Sequence, residues 1–475
     1  MIAAISILPA RLRRASVGLK LGNIAGECTA IVLIMPMLLL VAFWNGFPLI
    51  YYDTGAYILE GLGRHFLVER SPVYSLFLRF GGAGHSLWII VAIQAVATAF
   101  VLVECVRCVA PRLGLISFLA LCAGLIVASG LPWYVGEVEP DCFAAIVVLA
   151  VYLLAFHAES SGFLRAGILL VIGGFGAAAH ASHLLLAVGL WVALAVYRAI
   201  EGFAKSSDEW PKPDLAKPAV LIAIAVSLMV SSNFYFTRQV FVSRAGPAFL
   251  FARLLQDGIV TRLLDDTCPR SDYRLCAYKD ILPPTANAWL WAPYSPFFKL
   301  GGFSGTRAES ERIIRESFER YPVLNASLVF IDAARQFTSF RTGDQVEPQQ
   351  WALRSTFGQY LGPQIGDYLS ARQQKGKIAF QPINLIHVPI GYFSLLAVAA
   401  LLGFTVWCRD HRSAAFLTLI MLALMTNAVI CGALSNPHDR YQSRLIWLAL
   451  FAVVLTVAQP ADLRYRVKNA GTLQT

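Results

Sequence analysis

An acid stands where the first long apolar run of the chain ends, in Tyr51-Tyr52-Asp53-Thr54-Gly55-Ala56-Tyr57, and three more follow the third run in Glu137-Val138-Glu139-Pro140-Asp141. An ionisable group at such a boundary either meets water or belongs to a site. Bases occur in comparable settings. Arg70 leads into Ser71-Pro72-Val73-Tyr74, Arg244 follows the seventh run, and Asn436-Pro437-His438-Asp439-Arg440-Tyr441-Gln442-Ser443-Arg444 precedes the last. A carboxylate within hydrogen-bond reach of a hydroxyl takes its proton, and guanidinium forks hold a phosphate. The set suits attack by an acceptor hydroxyl with phosphate as the leaving group. Asp53 is the candidate base, and phosphate binding falls to Arg70, Arg244, His438, Arg440, Tyr441 or Arg444. Tyr57, Tyr74, Glu137, His180 and His183 are candidates for the surrounding cavity. Structural roles compete: helix capping for Asp53, a solvated turn for Glu137 to Asp141, snorkelling for Arg440 and Arg444, and backbone bonding for the two histidines.

Composition decides what positions these residues. The chain of 475 residues is 57% hydrophobic and 14% charged, with a mean hydropathy of +0.61. This fits an all-α polytopic membrane protein. Runs able to cross about 30 Å of hydrocarbon fall near residues 28–48, 86–106, 113–131, 142–158, 163–180, 183–199, 217–237, 385–407, 413–434 and 445–459. Ten spans are therefore expected. The net charge of +10 lies in short clusters between runs, as topology signals do, and no base-stacking module accompanies it, so nucleic acid is not an expected partner. Arg11, Arg13, Arg14 and Lys20, then Arg107 and Arg112, Arg165, Arg198 with Lys205, Lys212 and Lys217, Arg409 and Arg412, and Arg464, Arg466 and Lys468 all thread to one side. Both termini are expected in the cytoplasm of a cell whose inner membrane holds the protein.

The same threading gives an organisation of three parts: residues 1–237 with seven spans, a mainly helical extracytoplasmic domain over 238–384, and residues 385–475 with three spans. Within the middle part a charged helical stretch, Arg307 to Arg320, precedes an apolar one, Val323 to Phe340. Cys268 and Cys276 lie there eight residues apart, the spacing of a local disulfide in an oxidising compartment. Gly61-Leu62-Gly63 lacks the strand and helix context of a nucleotide-binding loop.

This order of features resembles the GT-C class of integral-membrane glycosyltransferases, which take sugars from polyprenyl-phosphate carriers. The likeness covers about half the chain: an acid after the first span, a long first outer loop with an Arg/Pro/Tyr segment, acids in the next outer loop and a later outer domain. It implies that Asp53 acts as base or orients the acceptor, and that Glu139 and Asp141 support catalysis or hold a metal. A divalent cation, Mg or Mn, is the one cofactor left open; if His180 and His183 face the cavity, they contact the phosphate or, with Glu139 and Asp141, that cation. The implied partners are a polyprenyl-phosphate-sugar donor, membrane lipids, and a glycan, lipid or protein acceptor. Neither the Asp-Glu pair of protein mannosyltransferases nor the WWD signature of oligosaccharyltransferases is present, so the acceptor stays open. A polysaccharide polymerase or ligase using lipid-linked donors, and a polytopic transporter or flippase, are the alternatives.

Overall fold

The computed structural model describes residues 23–204 and 210–459. Arg11, Arg13, Arg14, Lys20, Lys205, Arg464, Arg466 and Lys468, read above as topology signals, lie outside the described residues. Among the described residues the fold is helical, and the only pairing of extended chain is a parallel bridge between Leu49 and Glu137. Eight helices are long and apolar enough to cross a membrane, and two apolar helices are shorter. The protein is a polytopic helical membrane protein.

The first apolar run forms α1 (Ile24–Leu38) and α2 (Leu40–Asn45). Pro36 lies inside α1, and the helix breaks at Leu39; a proline removes a backbone donor and crowds the preceding turn. Two short helices follow, α3 (Tyr52–Gly61) and α4 (Pro72–Phe80). Then come α5 (Leu87–Val109), α6 (Leu115–Ala128), α7 (Leu131–Val135), α8 (Cys142–Phe156), α9 (Ala158–Ala179), α10 (Ala181–Ala204) and α11 (Ala216–Thr237). The centre of this bundle is α8, whose residues Cys142 to Ala155 are all buried. Its 15 residues span only about 22 Å at 1.5 Å per residue. Between α1, α5 and α9, Glu104 accepts from Arg165 and, at 2.7 Å, from Arg107, while Glu27 also accepts from Arg165. Charges inside a bundle persist when they are paired in this way.

Residues 238–384 divide their packing. The first part holds α12 (Gly246–Gln256), α13 (Ile259–Thr267), α14 (Ala286–Trp291), α15 (Pro296–Lys299), α16 (Gly302–Arg320) and α17 (Pro322–Thr338). Phe251, Leu263, Trp289, Phe297 and Ile313 give this part a core of its own, and Cys268 is bonded to Cys276 at its edge. The second part, with α18 (Gln350–Tyr360) and α19 (Ile365–Ser370), buries Phe357, Leu361 and Tyr368 in the core of the bundle. Three long helices complete the chain: α20 (Phe380–Trp407), α21 (His411–Leu434) and α22 (Asp439–Ala458). The last begins six residues before the apolar run read from the sequence. Arg440 and Arg444 therefore belong to its first turns, four residues apart and on one face.

Candidate functional site

The long first loop is organised by a buried acid. Glu60, at the end of α3, accepts the Leu67 amide at 3.0 Å and the Ser75 hydroxyl at 2.7 Å, so one carboxyl ties α3, the loop and α4. Burial pushes Glu60 up to about 7. Beside it, Gly61 lies so close to the Ser75 carbonyl that a Cβ would collide with backbone. This crossing brings the end of the loop back over the start of α3, and the Arg70 Nη2 donates to Asp53 Oδ1 at 2.5 Å.

From the far end of the chain Arg440 meets the same carboxylate, its Nη1 lying 3.5 Å from Asp53 Oδ2. Its Nη2 donates to Glu139 Oε2 at 3.2 Å and its Nε to Asp141 Oδ2. The guanidinium also stacks on the Tyr51 ring, 3.7 Å from its centroid. One turn on, Arg444 Nη1 donates to Asp141 Oδ1 at 2.8 Å, and its Nη2 bonds Ser182 at 3.0 Å and Asn427 at 3.3 Å. Thr54 Oγ1 donates to Glu139 Oε1 at 3.0 Å. Pairing of this kind makes a charge tolerable in a dry interior, although Nε of Arg70 and Nε of Arg444 are buried without a hydrogen-bond partner.

The acids behave differently although they are close. Burial pushes the Asp141 carboxyl up, but two guanidinium groups outweigh it and hold the group well below the usual carboxylate range. For Glu139 burial prevails over the pull of Arg440, because that arginine is shared with Asp141 and Asp53, and the carboxyl is raised well above the ordinary range. Glu137, whose Oε1 has no hydrogen-bond partner, is pushed up to about 8 by burial against the pull of Arg440. Three guanidinium groups, those of Arg70, Arg440 and Arg444, thus stand among these acids and Asp53.

A cavity of about 390 Å³ opens on this cluster. Asp53, Arg70, His180 and Arg440 line its polar end, and Met229, Val242, Leu250, Ile430 and Leu434 its apolar walls. The His180 Nδ1 lies 2.8 Å from Ser182 Oγ.

Of the residues singled out in the sequence, Asp53, Arg70, His180, Arg440 and Tyr441 line the cavity. Glu139, Asp141 and Arg444 lie behind this lining, fully buried. Asp141 occupies the N-cap position of α8 without making a side-chain cap; its oxygens go to the arginines instead. Tyr57 is buried beneath Arg70, edge-on to Tyr74 at 5.0 Å, and the Tyr74 hydroxyl donates to Gln94 Oε1 at 2.7 Å. Arg244 stacks on Phe241 at 4.0 Å beside the rim, and His438 bonds Asn436 at 2.8 Å and faces Asp344 at 3.4 Å. His183 is buried with Nδ1 3.0 Å from the Gly176 carbonyl. Among the described residues no group of three His, Cys, Asp or Glu side chains is arranged to hold a metal ion. The acids beside Asp53 meet guanidinium groups, so the residues present do not fit a divalent cation.

Tyr51, Thr54, Ser182 and Asn427 belong to the site and were not singled out from the sequence. Tyr51 and Thr54 flank Asp53, and Ser182 lies between the two candidate histidines; that adjacency was the available signal. Asn427 lies inside an apolar run and carried none beyond being polar there. No protein-family model, curated protein or solved structure matches the chain.

Proposed function

We propose that the protein is a membrane glycosyltransferase that moves a sugar from a polyprenyl-phosphate-linked donor to an acceptor hydroxyl on the outer face of the cytoplasmic membrane. In this reading the chain crosses the membrane ten times, the short α6 and α8 included, with both termini in the cytoplasm and the site on the opposite side. The observation that carries it is the pairing of Asp53 with Arg70 and Arg440 at the polar end of a cavity with apolar walls. Such a cavity matches an amphiphile with an anionic head and a hydrocarbon tail.

The chemistry follows from that geometry. The donor phosphate takes the forks of Arg70 and Arg440 in exchange for Asp53, releasing a carboxylate oxygen to the acceptor. The acceptor oxygen then bonds to the anomeric carbon as the bond from that carbon to the phosphate oxygen breaks. The electron pair leaves with the phosphate, and the hydroxyl proton goes to Asp53. Phosphate is a good enough leaving group that no second acid is required, unlike glycoside hydrolysis. Glu139, Asp141 and Arg444 act behind this as positioning residues for Arg440.

The test is binding and turnover of a panel of polyprenyl-phosphate sugars by the protein in lipid nanodiscs. The reading expects at least one donor to bind and to release polyprenyl phosphate, with both responses lost on Arg70→Ala. Vectorial movement of an intact lipid-linked sugar across vesicles without loss of its sugar would favour a flippase instead.

A further inference from the structure

Helix α17 is built inside out for a helix in water. The residues it buries are polar: Asn325, Asp332 and Gln336. Asn325 Nδ2 donates to the Ser317 carbonyl at 2.9 Å, Asp332 faces the buried Arg253 at 3.5 Å, and Gln336 bonds both the amide and the carbonyl of His438 at 2.9 and 2.8 Å. Its exposed face carries large apolar side chains, with Val323 77%, Phe330 76% and Ile331 47% accessible, beside Ala326, Ala334 and the polar Ser327, Arg335 and Thr338. A surface helix in water presents the opposite pattern, and an exposed apolar face of this kind marks a contact with something other than solvent.

Its neighbours identify the occupant. The packing of α17 along α21 is more extensive than that of any other helix pair, and at Gly432 the two backbones approach so closely that a Cβ would run into the Asp332 carbonyl. At its other end the Thr338 carbonyl accepts from the Tyr392 hydroxyl at 3.0 Å, a residue twelve positions into α20. That helix has 28 residues, about 42 Å against about 30 Å of hydrocarbon, so even with all of the excess on this side Tyr392 falls within its hydrocarbon-spanning part. The exposed face of α17 thus continues the exposed apolar surface of the two membrane-crossing helices it touches, where Leu385, Phe393 and Val429 are also exposed. The one charge on that face is a cation, Arg335, as suits a residue at phosphate headgroup level.

We propose that α17 is an interfacial helix seated in the membrane leaflet on the Asp53 side, with Val323, Phe330 and Ile331 among the acyl chains and Arg335 at the headgroups. Through Gln336 it then clamps the turn that precedes Arg440, so the lipid boundary sets the height of that arginine. The inference does not depend on the reaction proposed above.

The test places 4-trifluoromethylphenylalanine at position 330 of the full chain in nanodiscs and reads its fluorine linewidth with doxyl-labelled phospholipid or with a water-soluble gadolinium chelate. The same label at Arg312, on the charged and exposed side of α16, is the water reference. Seating in the leaflet predicts at least fivefold more broadening by doxyl lipid at 330 than at 312, and the reverse with gadolinium. Equal gadolinium broadening at the two positions overturns the proposal. So does indifference of the 330 signal to both reagents, which would mean that protein, such as a second copy of the chain, covers the face. Labels at Val323 and Ile331 repeat the reading should position 330 perturb folding.

Discussion

Asp53 and Arg440 are 387 positions apart in the chain and 3.5 Å apart in space. That contact joins the start of α3 to the start of α22 and makes a cavity wall out of what would otherwise be two helix ends. Its neighbours, Arg70 on one side and Asp141 on the other, decide how each partner is held.

The Arg440 fork divides its donors among Asp53, Glu139 and Asp141, a pattern a lysine cannot reproduce because an ammonium is a point charge without a fixed plane. Arg440→Lys is therefore expected to weaken binding of a polyprenyl-phosphate donor by about tenfold or more, the loss of about 1.4 kcal/mol. Titration of the donor into nanodisc-held protein measures this. An unchanged affinity would move the phosphate site elsewhere.

Asp141 is the hinge of the buried pairing, and its removal leaves two arginines facing each other. Asp141→Asn is expected to destabilise the fold by about 3–5 kcal/mol at neutral pH. Because the folded group is held below its ordinary range, its stabilising contribution is present above the usual carboxylate range and is lost as pH falls through and below it. The gap in thermal midpoint between wild type and variant should accordingly narrow as the pH is lowered from 7 toward 3.

Glu137 has the opposite sign. A folded carboxyl raised from 4.5 to about 8 keeps its proton while the unfolded chain gives it up, so the folded state loses stability as pH rises across that window and levels off above it. Glu137→Gln removes this penalty without emptying the site. The variant should melt on the order of 1–3 °C above wild type at pH 8, with the gain vanishing near pH 4.5. A gain independent of pH would argue against a buried neutral acid.

The disulfide between Cys268 and Cys276 closes a loop with a separation of eight residues, for which chain entropy gives about 2–3 kcal/mol. Replacing both cysteines by serine should lower the protection of amide hydrogens in α13 and α16 against exchange. Protection around α8 should be unaffected, since the two cores are separate clusters.

Much of the bundle is legible because long apolar runs announce themselves: α5, α9, α10, α11, α20 and α21 fall within a few residues of the runs read from the sequence. The boundary that matters most does not. Arg440 and Arg444 look like loop residues because nothing local says that acids from positions 53, 139 and 141 will neutralise them inside a helix. The same holds for Glu139 and Asp141, which read as an outer-mouth cluster and are fully buried. Leu49 pairs with the chain on both sides of Glu137, through Gly136 and Val138 at 2.9 Å, a pairing that ties this segment to the end of the first apolar run. Thr54 and Tyr51 carry no signal of their own for a related reason, since their roles exist only once Glu139 and Arg440 arrive from elsewhere. The inversion of α17 was half visible: the apolar stretch from Val323 to Phe340 was evident, but not which side of it would be covered.

The most direct measurement is mass spectrometry of lipid-linked sugars and surface glycans in cells lacking the protein, complemented with the wild-type chain or with Asp53→Asn. Sugar transfer with Asp53 as base predicts that a polyprenyl-phosphate sugar accumulates and a glycan species disappears in the absence of the protein. The wild type should restore both, while Asp53→Asn, expressed to the same level, should restore neither. Full restoration by Asp53→Asn, or lipid-linked sugars that do not change when the protein is absent, would contradict it.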